Sequence, residues 1–524
     1  MYNLCVPLFT DAERAFLSAV SRLAYCNPFL TERSDFERAA LGRDYVAGES
    51  IWSASVENPD APSPNVDRVH ARLLPVLDKV RARLPKAANA QPGELAIYED
   101  AVHHFLYQRY YAEFTANQTK PANWRFYESF EQDWHHYLPD TARTPEAARF
   151  ETAAQAAHFF ACFRQVQRAF QHIFFSIVGN SMPAARLRAS VWQSVFTHDM
   201  RRYGRVLYGR MQDFPTLITG PSGTGKELVA RAIAASRYVP FDAARLRFAD
   251  PPGETFIPMN IAALSPTLIE SELFGHRRGA FTGAIGDRKG WLDACPPAGS
   301  VFLDELGELD LSIQVKLLRV IETRGFSAVG DTARREFAGK LIAATNRDLH
   351  ARIRTGHFRE DLYYRLCADL IRTPSLREQI DDNPAMLRDL LLFMVRRAVG
   401  PDNGEAERSL PEVEAWVRDH LPPHYAWPGN YRELEQCVRN VIIRKSYAPI
   451  PETPQPDSPA DTPFFQSFRR CELSADEVIT HYAALVYRQT GTWEEAAKRL
   501  GLDRRTVKTK VEAFLASATK PATS

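Results

Sequence analysis

Apolar positions in the first 175 residues recur at steps of three and four, the spacing that lines one face of an α-helix. Phe16, Leu17, Val20, Leu23 and Ala24 form one stripe, and Val66, Val69, Leu73, Leu77, Val80 and Leu84 a second. A third helix is predicted from Pro145 to about Phe175, carrying Phe159, Phe160, Phe163, Val166, Phe170 and Phe174. Helices packed on one another account for all three. From 176 to 375 the pattern changes. Short apolar runs alternate with helical periodicity, as a parallel sheet with crossover helices requires. Leu217-Ile-Thr, Thr255-Phe-Ile-Pro-Met, Ser300-Val-Phe-Leu and Lys340-Leu-Ile-Ala-Ala read as its strands. Residues 376–446 return to helix and end in Trp427-Pro-Gly-Asn-Tyr-Arg-Glu-Leu, a small helical lid. The prolines between Ala448 and Pro463 forbid a helix, so 447–473 reads as an extended spacer. A last helical module occupies 474–524.

At 524 residues the chain exceeds one core, which fits this multidomain reading. The net charge of +1 excludes no nucleic-acid role, because a basic surface can be confined to one small module. Seven cysteines lie scattered without a C-x-x-C pair, which suits reduced thiols. The N-terminus lacks a basic segment followed by an apolar run, and no stretch approaches bilayer length. A cytoplasmic protein with no membrane partner is the expectation.

Three segments carry chemistry. Gly220-Pro221-Ser222-Gly223-Thr224-Gly225-Lys226-Glu227 follows a predicted strand and opens a helix, the context of a phosphate loop. Its glycines let backbone N–H groups turn onto phosphates, the helix N-terminus adds its dipole, and Lys226 neutralises the outer phosphates. The general pattern wants Ser or Thr after the lysine, where Glu227 stands. Val301-Phe-Leu-Asp304-Glu305 is the matching acidic strand end: Asp304 can hold Mg2+, and Glu305 can orient or deprotonate a water. The third segment is Glu270-Ser-Glu-Leu-Phe-Gly-His-Arg-Arg-Gly279-Ala280-Phe281-Thr282-Gly283-Ala284. Here Gly279 and Gly283 free the backbone, and Phe281 and Thr282 set an aromatic ring and a hydroxyl at the tip.

Together these segments resemble the AAA+ activators of sigma-54 RNA polymerase. The family's phosphate loop takes the form Gly-x-Ser-Gly-Thr-Gly-Lys-Glu, and Gly279 to Ala284 resembles its sigma-gripping loop. The resemblance spans about 176 to 446 and implies an α/β P-loop ATPase with a helical lid that uses ATP and Mg2+. It further implies that Asn260 restrains Glu305 until the partner is engaged and that Asn346, in Ala343-Ala-Thr-Asn, reads the γ-phosphate. Arg359 and Arg365 would reach the neighbouring subunit's nucleotide in a ring, a hexamer by family expectation, and Arg432 would contact nucleotide from the lid. Two departures stand out. The interval between Gly179 and Gly220 carries Thr197 to Met211 and is longer than the family leads one to expect; it reads either as a loop near the adenine pocket or as a contact to the N-terminal region. Cys367 follows Arg365-Leu where the family often has a small polar residue.

The tail, Gly491 to Lys510, reads as helix, glycine turn, helix, with six basic residues against one acidic between Lys498 and Lys510. It resembles a Fis-type helix-turn-helix, in which Asp503 caps a helix presenting Arg504, Arg505, Thr506, Lys508 and Lys510 to double-stranded DNA. The N-terminal region holds seven of the fourteen histidines, including His103-His104 and His135-His136, without a repeated Glu-x-x-His pattern. It is expected to bind an unidentified signal or regulator. The reading is therefore an ATP-dependent activator that binds DNA upstream of promoters and remodels the sigma-54 closed complex. The alternative is an AAA+ DNA-binding regulator that hydrolyses ATP without activating sigma-54, as a repressor or scaffold. A protein-remodelling or nucleic-acid motor would want pore or helicase elements that are not found.

Overall fold

The computed structural model describes residues 7–48, 64–84, 92–118, 123–139, 152–249, 255–400, 404–449, 467 and 473–518. They fall into two compact units, Met1–Tyr447 and Ala448–Ser524. Most of the proline-rich spacer, and the start of the predicted helix at 145–151, lie outside the described residues. No helix among the described residues is long and apolar enough to cross a membrane.

At the centre of the larger unit is a five-stranded sheet: β1 (Thr216–Thr219), β2 (Phe256–Asn260), β3 (Ser300–Asp304), β4 (Lys340–Thr345) and β5 (Asp369–Arg372). Its order is β5-β1-β4-β3-β2, with every pairing parallel. Successive strand residues point to opposite faces, and both faces are covered. Leu217, Val301, Leu303, Leu341 and Ala343 pack against Ile269, Ile313, Leu317 and Leu362 on one side. Ile218, Phe302, Ile342 and Ala344 pack against Val229, Ile233, Ile173 and Trp192 on the other. Burial on both faces is why the strands read as unbroken apolar runs. This is the AAA+ α/β architecture, flanked by helices on both sides in sequence.

The predicted N-terminal stripes are helices Asp11–Tyr25, Pro64–Arg81 and Thr152–Ser176. The first is opened by a capping box between Thr10 and Glu13. Phe105, Phe114, Phe130, Trp134 and Phe160 fill the bundle's core, and residues of the α/β region join it: Phe241 and Phe248, from the hairpin Phe241–Asp242 and Arg247–Phe248, lie 4.7 and 5.9 Å from the Phe160 ring. The N-terminal helices and the α/β region thus share apolar contacts. The lid comprises helices Leu376–Asp382, Met386–Val399, Glu405–His420 and Asn430–Arg444 around Trp416, Trp427 and Leu434.

His103 and His104 are buried. His103 stacks on Phe159 at 4.3 Å, its Nδ1 meets the Tyr25 hydroxyl at 3.1 Å, and burial pulls it down to about 3. Among the described residues no group of three or more His, Cys, Asp or Glu side chains is placed to hold a metal.

Candidate functional site

The carboxyl ends of β1, β3 and β4 meet at one edge of the sheet, where open α/β sheets take their ligands. Off β1 the chain turns through Gly220 to Gly225 into helix Lys226–Ala235. Gly223 and Gly225 have φ of +76° and +86°, a region L side chains rarely adopt. Nothing larger than hydrogen fits at Gly223: a Cβ there would lie 2.2 Å from the Gly429 carbonyl oxygen. Gly223→Ala therefore combines backbone strain with a clash, whereas Gly279→Ala, at φ +80° with no atom within 4 Å, has strain alone. Non-glycine residues at such φ cost on the order of 1–3 kcal/mol. Thermal unfolding is expected to show Gly223→Ala melting clearly below Gly279→Ala, and equal melting temperatures would contradict this account of the loop.

The buried Lys226 donates from Nζ to the carbonyls of Gly220 (3.1 Å) and Pro221 (3.0 Å). Burial lowers its pKa, opposed by the nearby Glu305 and Asp304 carboxylates. Asp304, the last residue of β3, accepts the Glu305 N–H at 3.0 Å, and burial raises its pKa against the backbone bond and Lys226. Glu305 itself has φ +56°, a left-handed conformation unusual outside glycine. The β2–β3 register sets Asn260 directly beside Asp304, and the β1–β4 register sets Thr219 beside Thr345, the residue before Asn346. Asn260 and Asn346 are both exposed at this edge.

Two contacts that sequence reasoning missed hold the phosphate loop in place. Thr373, just past β5, shares a hydroxyl hydrogen bond with Thr224 at 2.7 Å, and its N–H donates to the Thr219 carbonyl at 2.8 Å. The lid reaches the loop from the other side. Asn430, at φ +52°, donates from its amide to the Ser222 carbonyl (2.9 Å), and the Tyr431 N–H donates to that of Gly223 (3.1 Å). Buried Glu433 braces that turn by accepting from Gly429 N–H at 2.7 Å and from the Tyr425 and Tyr447 hydroxyls. Arg432 is close enough for its charge to act on both Lys226 and Asp304. Glu227 turns along its helix and pairs with Arg231 at 2.8 Å.

Arg359 and Arg365 are exposed and lie apart from this cluster: Arg359 pairs with Asp361 at 2.6 Å and Arg365 with Glu322 at 3.1 Å. The Gly279 to Ala284 segment caps a hairpin of Gly275–His276 and Arg288–Lys289. Gly279 N–H donates to the Ala284 carbonyl at 2.9 Å, and Ala284 N–H to that of Phe281 at 3.0 Å, closing a tight tip. Phe281 packs edge-on against the His276 ring at 5.0 Å, while Thr282 is exposed. Arg277 braces the base by pairing with Asp287 at 2.5 Å and Asp331 at 2.9 Å. Ile285, next to the tip, is 87% exposed. This apolar residue was passed over in sequence; its place among glycines and charges was the signal.

In the smaller unit, helices Ala475–Thr490, Trp493–Leu500 and Arg504–Ala518 pack around Val486, Ala496 and Val507. Gly501, at φ +66°, makes the turn, and the Asp503 carboxylate accepts the Arg505 N–H at 2.8 Å. Arg504, Arg505, Thr506 and Lys508 are exposed, whereas Lys510 is turned onto Asp476 of the first helix.

Residues 197–372 match the family model described as the sigma-54 interaction domain. Over those residues the chain is similar to that family. It is homologous to the transcriptional regulatory protein ZraR of Klebsiella oxytoca, 39% identical over 311 residues, covering 57% of this chain and 63% of the relative. The Nif-specific regulatory protein of Azotobacter vinelandii is 43% identical over 227 residues, covering 43% of this chain and 39% of that one. The chain thus spans less than two thirds of these relatives' length. A crystal structure of NtrX from Brucella abortus is 24% identical with a TM-score of 0.37, covering 70% of this chain and 76% of that one. The match begins at 197, so the Thr197 to Met211 segment lies inside the matched range. The segment contacts the N-terminal helices: Arg201 pairs with buried Asp100, and its Nη2 donates to the Ser21 hydroxyl at 2.8 Å.

Proposed function

We propose that the chain is an ATP-driven transcription activator that grips sigma-54 RNA polymerase through Gly279 to Ala284 and binds upstream DNA through its C-terminal helices. The observation that carries this reading is the continuity between the acidic strand end and the tip. Asn260 lies beside Asp304, and from it the chain runs through a short turn into helix Pro266–Phe274, which enters the hairpin directly. A change in what Asp304 and Glu305 face is therefore passed along a few residues to the loop. Such coupling lets the tip bind its partner differently in different nucleotide states, and only differential binding can do work.

ATP would lie across the loop's N–H groups and the helix N-terminus, with Lys226 on its outer phosphates and Arg432 approaching from the lid. The half-buried Asp304, whose carboxyl is pushed up by burial, suits Mg2+, whose charge would offset that of the phosphates. Glu305 is the group to orient and deprotonate water, with Asn260 and Asn346 flanking it. The exposed Arg359 and Arg365 suit contacts to a neighbouring subunit in a ring. In the tail, Arg505 and Thr506 are offered to DNA, and Arg504, Lys508 and Lys510 would exchange their partners Glu494, Glu512 and Asp476 for phosphates.

The direct test is to trap the protein with ADP and aluminium fluoride and ask whether it co-migrates with sigma-54. Wild type is expected to be retained and Thr282→Ala to lose retention by at least about tenfold, the scale of removing one polar contact at a buried tip. Absence of a complex from a protein that hydrolyses ATP would favour the regulator that does not activate sigma-54.

A further inference from the structure

At the opposite edge of the sheet from the phosphate loop is a cavity of about 360 Å³. Its walls come from several distant parts of the chain, among them Gln165 on helix Thr152–Ser176, Tyr203 to Gln212 of the segment before β1, Ser236 to Tyr238 at the end of the phosphate-loop helix, and Lys340 opening β4. Two of those walls are cationic. Lys340 is 1% exposed and donates from Nζ to two backbone carbonyls, Phe214 at 2.7 Å and Met211 at 3.4 Å. An ammonium has three N–H donors, so one is left over. Arg237 donates to the carbonyls of Pro297 (3.1 Å) and Gly299 (3.5 Å). Neither side chain forms an ion pair with a carboxylate among the described residues. Asp369, the carboxylate that acts electrostatically on Lys340, is engaged by the hydroxyls of Ser194 and Thr216, and Asp213 lies nearer Arg237 and Arg324.

Buried charges are ordinarily paired. Burial, aided by the positive charges of Arg237 and Arg324, pulls Lys340 down to about 7, the direction expected of a cation short of countercharge. Beside the polar Gln165, Ser194, Gln212 and Ser236, the lining is apolar or aromatic, with Val195, Ile233 and Met211 on one hand and the rings of Tyr203, Tyr208 and Tyr238 on the other. Its volume is at the lower end of small-molecule sites, which favour boundaries between structural layers.

We propose that this cavity binds a small organic anion, a carboxylate on an apolar body, with the carboxylate against Lys340 and Arg237 and the body among the tyrosines. Bound there, the anion touches the N-terminal region through Gln165 and the phosphate-loop helix through Ser236 and Arg237. Gln165 already joins these elements by donating to the Ser236 carbonyl at 2.8 Å and accepting from the Tyr203 hydroxyl at 2.8 Å. The site gives chemical form to the signal expected at the N-terminal region and stands independently of the sigma-54 reading.

The test uses the full chain, with benzoate and hexanoate as probes and benzamide and hexanamide as neutral counterparts, followed by calorimetric titration. At least one carboxylate is expected to bind saturably with Kd near or below about 1 mM, and its amide at least about tenfold more weakly. Lys340→Met should remove the preference for carboxylate over amide. Ala338→Phe, which sets a bulky ring on the cavity wall and keeps both cations in the chain, should weaken binding of both at least about tenfold and serves if Lys340→Met does not fold. No saturation by either carboxylate up to about 10 mM, equal binding of the amides, or binding unchanged in Ala338→Phe each overturns the site. None of these readouts involves ATP turnover or sigma-54, so failure here leaves that proposal standing.

Discussion

Glu305→Gln is expected to abolish ATP turnover while nucleotide still binds. Glutamine keeps the size of the side chain and its hydrogen-bonding reach but cannot take a proton from water. General-base catalysis is worth roughly 10²–10⁴ in rate, and a loss of that size is expected in phosphate release. In the proposed site, binding would rest on other atoms: the N–H groups of Ser222 to Gly225, the helix N-terminus and Lys226. The backbone marks Glu305 as a strained point, as it does Asn430 in the lid. A glutamate held at φ +56° directly after a buried strand is costly, and such strain clusters where geometry serves function. Steady-state phosphate release together with titration of a fluorescent ATP analogue checks both halves. Turnover within about threefold of wild type would assign the base elsewhere, and loss of binding would mean that the substitution had disturbed the loop.

Arg365→Ala is expected to lose comparable activity for a different reason. A guanidinium delivered from a neighbouring subunit stabilises charge on the transferring phosphoryl and is worth roughly 10³–10⁵ in other NTPases. Within one chain Arg365 is exposed and its partner is Glu322 at 3.1 Å; exposed pairs of this kind contribute about 0–1 kcal/mol, so the fold is expected to survive. Mixing distinguishes action in trans from a local defect. Lys226→Ala lacks a working phosphate loop but keeps Arg365, whereas Arg365→Ala keeps the loop and lacks the arginine. Each alone should be nearly inactive, and a mixture should regain turnover wherever an intact loop faces an intact arginine. No recovery on mixing, with both variants still assembling, would place Arg365 outside the neighbour's site.

Four of the five central strands were legible because they are buried on both faces and therefore apolar throughout. β5 was not, because Asp369–Arg372 is a four-residue edge strand with one fully buried residue, Ile371, too short and too polar to stand out. The phosphate loop and acidic strand end were legible because their chemistry demands particular residues at adjacent positions. The clasp of Thr373, Asn430 and Glu433 was not, because these side chains lie far from the loop in sequence and no local pattern records which carbonyl each one meets. Lys510 shows the same limit: helical spacing puts it with Arg504, Arg505 and Lys508, but only packing reveals that Asp476 takes its charge. His103 and His104 carry no local sign of burial in the sequence, and the structure stacks His103 on the rings of Trp134 and Phe159.

The sequence by itself determined the order of helices and strands, the motif-bearing segments and the likeness to sigma-54 activators, since periodicity and motif spacing are local properties of the chain. Tertiary structure alone decided that Phe241 and Phe248 complete the N-terminal core, that Arg201 ties the segment before β1 to Asp100, and that a cationic cavity lies where several distant segments converge. Those results depend on contacts between residues far apart in the chain. Burial and charge pairing there are set by which surfaces meet, and no local pattern carries that information.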